Sequence, residues 1–151
     1  MVIQIFSKKK NCKYVSYESE HILFLSSFQL AFALMFCIYC ELYYLSIMNV
    51  GLLTTSLLHW NKPELGLRRS IDILMAIMNI IIHIIYSFQI NIYCVLICFI
   101  STILVTTSYL IGKKFSYNSY SAIFHLFIHT TGNFTALTIY YYAKKKSINS
   151  L

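Results

Sequence analysis

Residues that form turns are scarce in this chain, which has one proline and four glycines among its 151 residues. A fold with many strands needs many tight turns, and such turns are rich in glycine and proline. The composition therefore argues against a many-stranded β fold and favours long helices.

Charged residues are also few, at 11% of the chain, while 58% of the residues are hydrophobic. A soluble domain usually carries about twice that share of charge. The apolar residues form long uncharged runs, which are typical of membrane-spanning helices. These runs take up nearly the whole chain and leave no room for a separate soluble domain. We therefore predict an all-α integral membrane bundle whose first partner is the lipid bilayer.

The lengths of the apolar runs predict about five transmembrane helices. A hydrocarbon core about 30 Å thick takes roughly 20 helical residues. The longest run, residues 22–60, carries Glu41 as its only charge and is nearly long enough for two helices. A bundle of four spans, with this run partly re-entrant, is the alternative. The predicted helices are 22–40, 43–60, 70–88, 92–111 and 119–142, within a single transmembrane domain (22–143) that lies between tails at 1–21 and 144–151.

Local signals predict some details of these helices. Ser70 is a suitable N-cap for the third helix, and residues 89–91 form a short turn. Aromatic residues at the ends of spans often lie at the membrane surface, which is the prediction for Trp60 and for Tyr140–Tyr142.

Basic residues flank the apolar runs and predict the orientation of the chain. Of the 12 Lys and Arg residues, nine fall in the amino-terminal tail and in the loops at 61–69 and 112–118. Five spans place these three segments on one side, and the positive-inside rule puts that side in the cytosol. The net charge of +7 is then membrane-surface charge. We do not expect nucleic-acid binding, because it needs a folded basic face.

Four ionisable residues fall in the same half of the predicted membrane domain. His59 is in the last turn of the second helix, and Asp72 is in the first turn of the third. His125 and His129 lie near the start of the fifth helix, which begins on the same side. Ionisable groups in lipid are costly and normally face the interior of a bundle, so we expect the four side chains to approach one another.

Three histidines in this group are candidates for metal ligands. His125 and His129 are four residues apart and share a helix face, so both can reach one ion. Three neutral imidazoles bind zinc and leave a fourth position for water, which is the arrangement of a catalytic site. We predict His59, His125 and His129 as zinc ligands.

Three further residues complete the predicted site. Zinc lowers the pKa of bound water to near 7, and a neighbouring carboxylate can take the proton. Asp72 is the candidate for that role. Thr55, one turn before His59, or Ser56 is the candidate hydrogen-bond donor to the developing oxyanion.

A simpler interpretation of the same residues is structural. An intramembrane histidine can hydrogen-bond a neighbouring Ser, Thr or Tyr and hold helices together, and Asp72 can pair with Arg68 or Arg69. Asn79 and Asn133 are expected to form hydrogen bonds across helices.

The order of these residues resembles the CREST superfamily of alkaline ceramidases, adiponectin receptors and remodelling proteins of lipid anchors. The matching features are Thr55 one turn before His59, Asp72 at the start of the next helix, and the pair His125 and His129 in the last. The family usually has serine where this chain has Thr55, and seven spans rather than five. The resemblance implies a zinc-dependent hydrolase of lipid amide or ester bonds. The surrounding sequence also looks like small multi-span proteins of unassigned function from giant DNA viruses.

Two other functions are compatible with the sequence. One is a non-enzymatic membrane scaffold or binding protein, in which the histidines only pack. The other is proton or ion conduction along a polar stripe of the third helix, formed by Asp72, Asn79 and His83.

Overall fold

The computed structural model describes residues 17–63, 66–115 and 119–149, and within these ranges the chain is all-helical, as predicted. Phe28 interrupts the first predicted helix and divides it into two segments. The described residues therefore form six helical segments, and the first two together make up one of five rods. The segments are α1 (Tyr17–Ser27), α2 (Gln29–Tyr39), α3 (Tyr43–Asn61), α4 (Leu67–Phe88), α5 (Ile92–Lys114) and α6 (Ser119–Asn149).

In the described part of the chain, three segments are long and apolar enough to cross a membrane: Ser19–Tyr39, Leu67–Phe88 and Ile92–Lys114. In each of them at most 28% of the apolar window is buried inside the bundle. The remaining apolar surface faces outward, as expected for helices solvated by lipid rather than by water. The protein is therefore a multi-pass integral membrane protein.

The helices form a closed ring. Each segment packs against its neighbours in the chain, and α6 returns to pack against α1 and α2. The contact between α4 and α6 is slight, which leaves space in the middle of the ring. A closed ring of this kind lets every helix present polar side chains to an interior instead of to lipid.

The helix ends differ from the predicted boundaries. The first helix is present from Tyr17, within the segment predicted as a polar tail, and the last continues to Asn149. The predicted cap at Ser70 is wrong, because α4 begins at Leu67 after Gly66, and the Ser70 hydroxyl donates back to the Gly66 carbonyl at 3.3 Å. The short turn predicted at residues 89–91 is confirmed. The basic residues before position 17 lie outside the described part of the chain.

The turn between α2 and α3 is a Schellman motif without glycine. The amide of Leu42 donates to the Cys37 carbonyl at 3.1 Å, and the amide of Glu41 donates to the Ile38 carbonyl at 2.9 Å. Glu41 has a φ of 63°, the left-handed conformation that glycine usually occupies at this position. Because the residue is not glycine, the sequence gives only a weak signal for this turn.

Lysines of α6 hold both turns at this end of the bundle. Lys144 Nζ donates to Glu41 Oε1 at 3.0 Å, and Lys146 Nζ donates to the carbonyl oxygen of Gln89. The Glu41 carboxylate raises the pKa of Lys144 above its ordinary value, because it accepts a hydrogen bond from the charged ammonium group. Glu41 is well exposed and Lys144 partly exposed, and ion pairs at such surfaces contribute little to stability.

Gly112 lies where α5 packs closely against α6. A Cβ at Gly112 would lie 3.1 Å from the Phe124 Cβ, an atom close to the backbone that cannot easily move away. We expect Gly112→Ala to lower the free energy of unfolding by about 1 to 3 kcal/mol through overpacking. Reversible denaturation in mixed micelles measures this change.

Gly132→Ala is the matched control, because no atom lies within 4 Å of the added Cβ. Alanine favours the helix over glycine, so this variant should be neutral or more stable by up to about 1 kcal/mol. Equal losses in the two variants would contradict close packing at Gly112.

Candidate functional site

A cavity of about 390 Å³ occupies the centre of the ring. Side chains from α2 to α6 line it, and most of them are apolar. Its volume is within the range of cavities that bind small molecules. Polar residues face it at several depths, among them Asp72, Asn79, His83, His125 and His129. Four of the residues predicted for the site line this cavity: Ser56, Asp72, His125 and His129.

The imidazoles of His125 and His129 face each other on the wall of this cavity. Their Nε2 atoms are 3.1 Å apart. The Ser26 hydroxyl donates to the Leu23 carbonyl at 2.8 Å, so its oxygen accepts a hydrogen bond from His129 Nδ1 at 3.2 Å. His129 Nε2 then carries a lone pair, and His125 Nε2–H donates to it.

Ser26 thus orients the His129 ring and selects its tautomer, as the outer partners of metal-binding histidines do. Ser26 was not among the residues predicted for the site. A serine within an apolar run was the available signal, because polar side chains in lipid-facing helices turn inward.

Trp60 contacts the third predicted ligand, His59, and also His125 of this pair. Its ring centroid is 4.6 Å from that of His59 and 4.6 Å from that of His125. Trp60 is 3% exposed, so it packs inside the bundle instead of serving as the predicted interface anchor. The indole ring therefore contacts both His59 and His125.

Asp72 and Thr55, two of the residues predicted for the site, are in contact. Thr55 Oγ1 is 3.3 Å from Asp72 Oδ1 and 3.1 Å from the Leu52 carbonyl, and its hydrogen is shared between these acceptors. Asp72 therefore accepts from a hydroxyl rather than pairing with Arg68 or Arg69 within the described residues.

A second, smaller cavity of about 70 Å³ opens at the end of the bundle next to Asp72. His59, Asp72 and His125 all line it, together with Arg69 and Lys113. Asp72 and His125 line both the smaller cavity and the central cavity, so they lie between the two.

Ser56 makes a different contact from the predicted one. The Ser27 hydroxyl donates to the Leu23 carbonyl at 3.0 Å, so Ser56 donates to Ser27 Oγ, also at 3.0 Å. Ser56 is 1% exposed. Its hydroxyl joins α3 to α1, which leaves Thr55 as the better placed of the two candidate donors.

Within residues 17–63, 66–115 and 119–149, no group of three or more His, Cys, Asp or Glu side chains is arranged to hold a metal ion. The structure places His125 and His129 in contact, while His59 and His125 each contact the ring of Trp60. Zinc binding by the full set stays a prediction.

A closed cycle of hydrogen bonds lies deeper in the bundle. His83 Nδ1 donates to the Asn79 carbonyl at 2.8 Å, so His83 Nε2 is the acceptor and the Tyr140 hydroxyl donates to it at 2.7 Å. Tyr140 Oη accepts from Asn49 Nδ2 at 2.7 Å, and Asn49 Oδ1 accepts from Asn79 Nδ2 at 3.3 Å. Four side chains from α3, α4 and α6 thus satisfy one another.

This cycle corrects one prediction and confirms another. Tyr140 is completely buried instead of lying in an aromatic belt, whereas Tyr141 is 55% exposed. Asn79 does bond across helices, to Asn49. The histidine contacts with Ser26 and Tyr140 are of the structural kind considered above. Asp72 has no part in the cycle, so the polar stripe of α4 is divided into two separate groups of contacts.

Comparisons with protein families, with curated proteins and with solved structures find no match. The arrangement of the described residues therefore carries the argument for function. It defines a multi-pass membrane protein whose helices enclose a cavity with ionisable side chains on its wall.

Proposed function

We propose that this protein is a zinc-dependent intramembrane hydrolase of lipid amide or ester bonds. The observation that carries the proposal is the contact between His125 Nε2 and His129 Nε2, 3.1 Å apart on the cavity wall that Asp72 also lines. Two imidazoles and a carboxylate at one cavity in the membrane are costly to bury, and such groups are functional candidates by default.

The donor set supports zinc in its chemistry. In this proposal His125 and His129 are the first two ligands, and His59 is the third. Neutral imidazole is a usual zinc ligand, and Ser26 gives His129 the outer hydrogen bond that metal-binding histidines have. Zinc, when bound, would act as a Lewis acid and make water a stronger nucleophile at neutral pH.

The chain's own residues have separate roles. The Asp72 carboxylate would take a proton from the attacking water and later return it to the leaving group. Thr55, whose hydroxyl lies 3.3 Å from Asp72 Oδ1, would hold the carboxylate in place. The mostly apolar central cavity would take the hydrocarbon chain of a lipid.

Metal content tests the proposal directly. We expect about one zinc per chain in protein purified without chelators, and a loss of that zinc in His129→Ala. His21→Ala is the matched control, because this histidine is exposed on α1 and does not line either cavity. Elemental analysis of the three proteins in detergent gives the answer. Wild-type protein that is folded but free of zinc would contradict the proposal.

A second candidate is a lipid-binding protein without catalytic activity. It is favoured by the absence of a three-residue metal group among the described residues, and by the packing of His59 and His125 against the Trp60 ring. This candidate predicts that lipid binds the central cavity in the presence of a chelator and is recovered unchanged.

A further inference from the structure

Asn133 lines the central cavity, and its side-chain oxygen lacks a hydrogen bond among the described residues. Its Oδ1 is buried and has no hydrogen-bond partner within the part of the chain that the structure describes. The side chain lines the cavity. The sequence predicts a hydrogen bond across helices at this position, and Asn79 makes one whereas Asn133 does not.

An unsatisfied carboxamide in a membrane interior is costly, since no bulk water reaches it. The neighbouring polar groups show that this bundle normally pairs its interior. Asn49, Asn79, His83 and Tyr140 satisfy one another, and Thr135 contacts Ser101. Asn133 Oδ1 is the exception, and its residue is on the wall of a cavity. A molecule that fills this cavity is therefore the candidate source of its hydrogen-bond donor.

The position of Asn133 on α6 relates it to the facing histidines. It follows His129 by four residues, so it lies on the same helix face and roughly 6 Å further along the axis. A molecule that reaches from the imidazole pair into the bundle therefore passes Asn133. A carboxamide carries both an acceptor and two N–H donors, so it pairs best with a group that offers a donor in return.

We propose that Asn133 recognises an N–H or O–H donor of an amphiphile in the central cavity, and so selects donor-bearing lipids over otherwise equal lipids that lack one. This inference deepens the proposed function. It depends on one part of that function, the binding of a lipid in the central cavity. It makes Asn133 a specificity residue and gives it no part in bond cleavage.

Two probes that differ in one group test the inference. N-dodecylacetamide carries an amide N–H where dodecyl acetate carries an ester oxygen, and the two are otherwise alike. Equilibrium binding of each radiolabelled probe is measured to the full chain in nanodiscs, with binding to empty nanodiscs subtracted. EDTA is present throughout, so the result does not depend on zinc or on hydrolysis.

We expect wild-type protein to bind the amide about tenfold more tightly than the ester. Asn133→Leu, which keeps the size and removes the polar group, should bring the ratio to within about twofold. Thr138→Val on the same helix is the control, because its hydroxyl donates to the Phe134 carbonyl at 2.8 Å and does not line the cavity. This variant should keep the wild-type ratio.

Equal binding of the two probes by wild-type protein would overturn the inference, whether or not Asn133→Leu folds. A preference that persists in Asn133→Leu, or one that is also lost in Thr138→Val, would overturn it as well. Absent zinc in the metal analysis would leave this measurement unaffected, so the failure of one proposal is distinguishable from the failure of the other.

Discussion

Tyr140→Phe is expected to lower the free energy of unfolding by about 2 to 4 kcal/mol. The substitution removes one oxygen, but it leaves Asn49 Nδ2 without its acceptor and His83 Nε2 without its donor. Each buried polar group that loses its partner costs about 1 to 3 kcal/mol. Hydrogen bonds between membrane helices often contribute amounts toward the lower end of that range, because the unfolded chain in lipid also finds partners. The lower half of the summed range is therefore the expected result.

Tyr141→Phe is the matched control for this prediction. It removes the same oxygen from the next residue, whose side chain is 55% exposed, and should change stability by less than about 0.5 kcal/mol. Reversible denaturation in mixed micelles provides both values. A double-mutant cycle with His83→Leu should give a coupling of about 0.5 to 3 kcal/mol. Similar small effects of Tyr140→Phe and Tyr141→Phe would show that the cycle contributes no stability.

Asp72→Asn is expected to reduce hydrolysis by about 10²- to 10⁴-fold, the usual contribution of a general base. The amide keeps the shape of the side chain but cannot take a proton from water. A panel of fluorogenic long-chain acyl amides and acyl esters, presented in vesicles, measures the rate. Zinc content should stay at the wild-type level, because Asp72 is not among the proposed ligands.

Thr55→Val provides a graded comparison with Asp72→Asn. It removes the hydroxyl that lies 3.3 Å from Asp72 Oδ1 but keeps the carboxylate, so activity should fall by a smaller factor, on the order of tenfold. Full activity in Asp72→Asn at normal zinc content would rule out Asp72 as the base. Equal losses in both variants would indicate that the threonine has a larger role than holding the carboxylate.

The helical membrane class could be predicted because it depends on composition and run length. Long apolar segments must form helices in lipid, where each backbone polar group needs a partner within its own segment. Periodicity also placed residues correctly on faces. His125 and His129 share one face because four residues make about one turn.

Helix ends and turns were harder to predict from local signals. Glu41 adopts a left-handed conformation without being glycine, and Lys144 binds its carboxylate from the far end of the chain. Ser70 is of a residue type that often caps helices, yet the helix begins earlier, at Leu67, and Gly66 is its N-cap. Contacts made after the helices assemble can outweigh the local preference of a single residue.

The amino-acid sequence by itself determined that this chain forms membrane helices, and it predicted that four ionisable residues fall in one half of the bundle: His59, Asp72, His125 and His129. Those properties follow from hydrophobicity and from helix geometry, which act within each segment. Only the tertiary structure decided which side chains meet. Ser26 contacts His129, Tyr140 contacts His83, Trp60 contacts both His59 and His125, and Asn133 Oδ1 has no hydrogen-bond partner among the described residues. Side chains far apart in sequence meet only through the rotation of each helix about its axis, which packing of all five rods sets together.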